Sequence, residues 1–342
     1  GAQAYPSITK DFSNVDFSTG SVGLGGAMTI FSSLVQDYLM CNDFLENKLE
    51  SKMISIFGDA ELDEGNVYEA LLEGAKHDLI NCWWIIDYNR QSLDGIIHEK
   101  LFEKLIDLFR LMNWDVYILK YGKKLQKLKE KKGGNRILNW IDDCPNDLFS
   151  ALTFQGGEGW RKALSEDFKN DRDVLQIINS INDKELHEIM TNLAGHDIEE
   201  LEEVFSKNRK SSNPTCFICY TVKGFGLPLA GHKDNHSGIM NMDQFKNYQN
   251  SMKIRKGMEW DKTEGMKISK KIFEDNISKN VFYKNNGNRS FRDSHIQIEE
   301  LNIKFKNYTS TQEAFGQILG TIGKRKDNQT KRNYTSGSYH KK

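Results

Sequence analysis

Two short apolar runs, Met53-Ile-Ser-Ile-Phe57 and Cys82-Trp-Trp-Ile-Ile86, stand either side of a single helical pattern, and each stops abruptly at a polar turn. The first ends in Gly58-Asp59, the second in Asp87-Tyr-Asn89. Between them Val67, Ala70, Leu71 and Ala75 recur at helical spacing. A second helical face follows at Leu101, Phe102, Leu105, Ile106, Phe109 and Met112, then a strand pattern at 115–120 and a later one at 215–222. Strands this apolar cannot leave one face in water. Their alternation with helices predicts an α/β fold, a parallel sheet with helices on both faces.

That topology gives the strand ends a meaning. In a parallel sheet, strands joined by one βαβ crossover lie side by side, and ligands bind off their carboxyl ends. Asp59 and Asn89 are 89 − 59 = 30 residues apart, each just past the end of its strand. They would offer a carboxylate and an amide carbonyl, with Gln91 adding a main-chain carbonyl. Such hard oxygen donors suit Mg²⁺ or Ca²⁺ that also binds a diphosphate. On the residues alone, Gly-Asp and Tyr-Asn could instead be simple turn formers.

Two glycine-rich segments join them. Ser18-Thr-Gly-Ser-Val-Gly-Leu-Gly-Gly26 precedes a helix marked by Met28, Phe31, Leu34 and Val35, an arrangement that lets backbone approach a phosphate. It is not a P-loop, having no GxxxxGK[ST]. After the late strand comes Lys223-Gly-Phe-Gly-Leu-Pro-Leu-Ala-Gly-His-Lys-Asp-Asn-His236. A lysine with His232 and His236 on such a loop could bind an anion or exchange protons, or simply form a surface loop.

The 342 residues carry 47 basic and 48 acidic side chains, a balance that gives no general field for nucleic acid or an anionic membrane. No apolar stretch approaches the ~18 residues of a membrane span. Lys120–Lys132 holds seven lysines and reads as a solvated face. Cys216-Phe-Ile-Cys219 has redox-motif spacing but lies in a strand pattern. Its thiols should therefore point to opposite faces, with no second pair to complete a zinc site. Scattered free cysteines suggest a reducing, cytoplasmic compartment.

Together these segments resemble the thiamine-diphosphate (ThDP) motif of the transketolase superfamily, in which Gly-Asp-Gly is followed about thirty residues later by Asn. Gly58-Asp-Ala-Glu-Leu-Asp-Glu64 and Asn89-Arg-Gln-Ser-Leu-Asp-Gly95 are most similar to the homodimeric-type pyruvate dehydrogenase E1 (Gly-Asp-Gly-Glu-Met-Asp-Glu and Asn-Leu-Gln-Arg-Leu-Asp-Gly). Gly195-His-Asp197 and Lys223-Gly-Phe-Gly226 extend the likeness across roughly residues 1–250. Transketolase-like bacterial proteins bearing Gly-Asp-Ala-Glu-Leu-Asp-Glu-Gly are also similar.

The resemblance implies that Asp59, Asn89 and the Gln91 carbonyl hold the metal on the ThDP diphosphate, with Gly58 in the same turn. Ala60 and Glu61 would add diphosphate or metal-shell contacts. Val22, beside Gly23, would lie near the aminopyrimidine. Tyr5 and His236 match active-site positions, and His232 is the near neighbour of His236. Ala60 departs from the family's Gly, which raises the question of backbone conformation there.

The same likeness implies a diphosphate-binding domain at 1–250, a linker at 251–308, and the truncated start of a pyrimidine-binding domain at 309–342. The last opens on the capping-box pattern Ser310-Thr-Gln-Glu313. Gly1-Ala-Gln-Ala-Tyr-Pro6 reads as mid-domain sequence. The glutamate that activates the cofactor would then belong to a domain this chain only begins. The expectation is a homodimer, or a partner chain carrying that domain, inactive as this chain alone. The expected chemistry is C–C cleavage on a small 2-keto acid. The alternatives are ketol transfer between sugar phosphates, or a non-catalytic cofactor-binding or assembly subunit. A dinucleotide-binding dehydrogenase is disfavoured because no GxGxxG follows a strand.

Overall fold

The computed structural model describes residues 5, 7, 17–44, 51–89, 99–279 and 301–324. Helix α1 (Leu24–Cys41) leads to β1 (Met53–Gly58), α2 (Gly65–Lys76), β2 (Cys82–Tyr88), α3 (Glu99–Leu111) and β3 (Asp115–Leu119). A helical insert follows: α4 (Lys123–Lys129), α5 (Gly134–Asp143), α6 (Asn146–Gln155), α7 (Gly157–Asp167), α8 (Arg172–Asn179), α9 (Asp183–Met190) and α10 (Ile198–Asn208). Then come β4 (Thr215–Tyr220), α11 (Met242–Ser251), α12 (Lys270–Lys279) and α13 (Thr311–Lys324).

The strands form one parallel sheet in the order β1-β2-β4-β3. As expected from a single crossover, β1 and β2 are neighbours, with Gly58 opposite Asp87. The insertion of β4 between β2 and β3 is a long-range choice that no local pattern announces.

Helices cover both faces. On one, α1, α2 and α3 bury Ile30, Val67, Leu71 and Phe109 against Phe57, Trp84, Ile86 and Cys216. Trp84 is fully buried, and its indole N–H donates to Thr29 Oγ1 at 3.0 Å. On the other face, Leu201, Val204 and Phe205 of α10 cover Trp83, Phe217 and Cys219. The two thiols of Cys216-Phe-Ile-Cys219 thus face opposite cores. Burial pushes Cys219 up to about 12, and Cys82 in the other core likewise, so both stay protonated thiols.

Strand β1 departs from expectation. Ser55 and Phe57 are buried, but Ile54 and Ile56 are 51% and 73% exposed. At the sheet edge they lie beyond the reach of α10, so only one face of this strand is covered. The insert was likewise not resolved by the sequence reading. It builds its own core from Leu125, Ile137, Ile141, Trp160, Leu164 and Ile178. Its lysine run is paired at the surface: Lys123 with Glu200 and Glu203, Lys124 with Glu188, Lys120 with Asp142. From 232 to 279, and again from 301 to 324, no described residue is buried. At the second of these stretches, Ser310 Oγ accepts the Glu313 N–H at 3.1 Å, as the capping pattern predicts.

Candidate active site

The carboxyl ends of β1 and β2 open into a cavity of about 520 Å³. Its lining draws on widely separated parts of the chain: Tyr5; Phe17 and Thr19 to Val22 with Gly25 and Met28; Ile54 to Phe57 with Asp59, Ala60 and Glu61; and Asn89, Lys223 and His236. Residues more than two hundred positions apart in sequence therefore share one wall, at the sheet edge where parallel folds bind ligands.

Asp59 opens a 3-10 turn directly after β1 and is only 3% exposed. Its Oδ1 accepts the Ala60 N–H at 2.9 Å. Asn89 stands one residue past the end of β2. The strand register puts both at the same end of adjacent strands, facing one cavity. Ala60 does not adopt positive φ, so the alanine in place of the family's glycine imposes no strain. A Cβ on Gly58 would meet nothing within 4 Å, so that glycine is not sterically required.

Gly23 is different. It caps α1 in the left-handed region (φ 78°), and a Cβ there would fall 2.8 Å from Glu64 Cβ and 2.9 Å from Asn66 Oδ1. Its N–H donates to Glu61 Oε2 at 2.8 Å, while Glu61 Oε1 accepts the Gly58 N–H at 3.0 Å. The glutamate carboxylate thus ties the glycine-rich loop to the end of β1.

The two histidines separate. His236 lines the cavity. His232 does not: its Nδ1 accepts the Asp234 N–H at 3.1 Å, and its ring packs on Phe154 at 4.7 Å. It shapes the loop that carries its neighbour. Tyr5 lines the cavity and packs over Gly20, where a Cβ would come within 2.9 Å of the ring. Gln91 lies outside the described residues.

Lys223, on the glycine-rich loop that follows β4, joins the lining. Its loop is braced by His196, whose Nε2 accepts the Val222 N–H at 2.8 Å and whose ring stacks on Phe225 at 3.9 Å. Burial pulls the His196 pKa down, and nearby Asp87 only partly offsets this, so the imidazole is held neutral as an acceptor.

The donor chemistry fits a hard cation. Among the described residues no cluster of three or more His, Cys, Asp or Glu side chains could hold a metal. One buried carboxylate and an amide carbonyl are instead donors of the type that Mg²⁺ shares with phosphate oxygens.

Comparison with known proteins gives this part of the chain a family. A family model described as "Transketolase, thiamine diphosphate binding domain" matches residues 3–132. The pyruvate dehydrogenase E1 component of Buchnera aphidicola (from Schizaphis graminum) is 25% identical over 234 residues, covering 68% of this chain and 26% of the relative. That of Pseudomonas aeruginosa is 26% identical over 249 residues, covering 71% and 27%. Residues 3–132 are thereby placed in the transketolase superfamily. The chain carries that superfamily's ThDP-binding domain and spans about a quarter of the length of these curated relatives. A transketolase structure from Campylobacter jejuni aligns with a TM-score of 0.43 at 18% identity, covering 69% of this chain and 26% of that one. No helix among the described residues is long and apolar enough to cross a membrane.

Proposed function

We propose that this chain forms the diphosphate- and metal-holding side of an E1-like ThDP enzyme that cleaves the C–C bond beside the carbonyl of a 2-keto acid such as pyruvate. The observation that carries this reading is the convergence of Asp59 and Asn89, at the ends of adjacent parallel strands, on one cavity. Asp59 and Asn89 would hold Mg²⁺ against the diphosphate, with the Gln91 carbonyl as the third protein donor. When bound, the cofactor supplies the electron sink that C–C cleavage needs. Val22, Met28, Ile54 and Ile56 give the cavity an apolar wall that excludes water around the cofactor rings. Lys223 attracts an anionic substrate, and His236 holds or passes a proton beside it.

Helix α1 supports a second protein surface in the working assembly. Asp37 is the only charged residue in its 18, and burial pushes that carboxyl upward. Phe31, Val35 and Tyr38 are nevertheless exposed on its outer side. An exposed apolar stripe of this kind marks an interaction surface. A second copy, or a partner chain carrying the pyrimidine-binding domain, would cover it. The absence of any buried residue from 232 to 279 supports a linker near 251–308.

Calorimetry tests the site. Asp59→Ala should weaken Mg²⁺-dependent ThDP binding by about 100-fold, or ~2.7 kcal/mol, with circular dichroism unchanged. Equal affinity in the folded variant refutes the metal assignment. With a pyrimidine-domain partner added, CO₂ release from pyruvate supports the E1-like reading, whereas ketol exchange between sugar phosphates, or no turnover, replaces it.

A further inference from the structure

Glu61 follows the metal-site aspartate by two residues, and direct contact with diphosphate or metal is the obvious role for it. Its geometry is different. Each carboxylate oxygen is engaged by a main-chain N–H from a separate segment, Gly23 at 2.8 Å and Gly58 at 3.0 Å. Helix α1 has no acidic residue in its first turn and no side-chain cap of its own. The negative charge that favours a helix N-terminus therefore comes from Glu61, on a different element 38 residues away. The Gly23 N–H is thereby committed to protein rather than left open for a phosphate.

The contact is also close on every side. The Gly23 backbone lies so near Glu64, Asn66 and Val67 that a Cβ would fall within 3.1 Å of each. On one side of this junction Val22 lines the cavity; on the other, Asp59, Ala60 and Glu61 itself line it. One carboxylate therefore sets the separation between the wall that would meet the cofactor's rings and the wall that would hold its diphosphate.

We infer that Glu61 is a positioning residue, a latch that fixes the glycine-rich loop against the end of β1 so that both ends of ThDP are gripped at once. This role presupposes the ThDP reading proposed above. Glutamine cannot reproduce it: an amide has one acceptor oxygen, and its NH₂ would oppose the second N–H. Aspartate keeps the charge but is a methylene too short to bridge.

The latch is distinguished from direct contact by comparing two ligands on the full 342-residue chain, ThDP and inorganic pyrophosphate, each with Mg²⁺. Pyrophosphate needs only the Asp59–Asn89 wall. Glu61→Gln should weaken ThDP binding about tenfold, as expected for loss of one charge-assisted hydrogen bond, and leave pyrophosphate within about twofold. Equal losses for both ligands would make Glu61 a direct ligand and overturn the latch, as would no loss for either. Failure of the wild-type chain to bind either ligand would instead overturn the ThDP reading itself. Should the glutamine variant not fold, Glu61→Asp is read by the same pair of affinities. Hydrogen exchange on the unliganded wild type adds an independent measure, since the latch requires slow exchange at the Gly23 and Gly58 amides. Fast exchange there refutes it.

Discussion

Gly23 and Gly58 both donate to the Glu61 carboxylate, yet replacing each with alanine should have different effects on stability. At Gly23 the backbone has φ 78°, a conformation that costs an L-residue about 1–2 kcal/mol. The added methyl would meet Glu64 Cβ at 2.8 Å and Val67 Cγ2 at 3.1 Å. Forcing a methyl into packed surroundings costs about 1–3 kcal/mol more, so Gly23→Ala should destabilise by about 2–5 kcal/mol. Gly58 has φ −74°, ψ 157°, with nothing within 4 Å of a Cβ. Alanine there restricts the unfolded chain at no native cost, so the change should be neutral or stabilising by up to about 1 kcal/mol. Urea unfolding followed by Trp fluorescence is the assay, because Trp84 lies against Gly26 of the same helix. A separation under about 1 kcal/mol between the two variants, or a destabilised Gly58→Ala, would refute the conformational argument for this junction.

Two further outcomes follow from the core and its histidines. Trp84→Ala should cost about 3–5 kcal/mol, since the ring is fully buried among Phe57, Phe109 and Trp114 and hydrogen-bonds Thr29; a loss under about 1 kcal/mol in the same urea assay would show the sheet core to be misassigned. His196 and His187 both have pKa values lowered chiefly by burial, so each contributes stability that is complete above the ordinary histidine value near 6.5 and is lost as pH falls through the lower folded value. Unfolding midpoints should fall on acidification below about pH 6.5, and His196→Gln, which keeps an acceptor but does not titrate, should flatten that limb; an unchanged slope would remove His196 from the brace on the Lys223 loop.

Much of this protein is legible in short stretches of sequence because strand and helix periodicities are local. The runs at 53–57 and 82–86, the single helix between them and the polar residues at their ends sufficed to place Asp59 beside Asn89. A right-handed βαβ unit leaves little choice once its elements are known. Period two likewise predicted that Cys216 and Cys219 would enter different cores. Tertiary structure decided the rest. Nothing near 215–220 says that this strand slips between β2 and β3. Nothing in β1 says that Ile54 and Ile56 stay exposed, because edge position depends on which strands lie beyond. His232 and His236 share one glycine-rich loop, and only the path of that loop sends one to the cavity and the other onto Phe154. The resemblance implies diphosphate or metal-shell contacts for Glu61, and only the fold shows that its carboxylate also reaches Gly23, 38 residues away. A residue's periodicity is set by its neighbours along the chain, whereas its hydrogen-bond partner is set by whichever segment the completed fold presses against it.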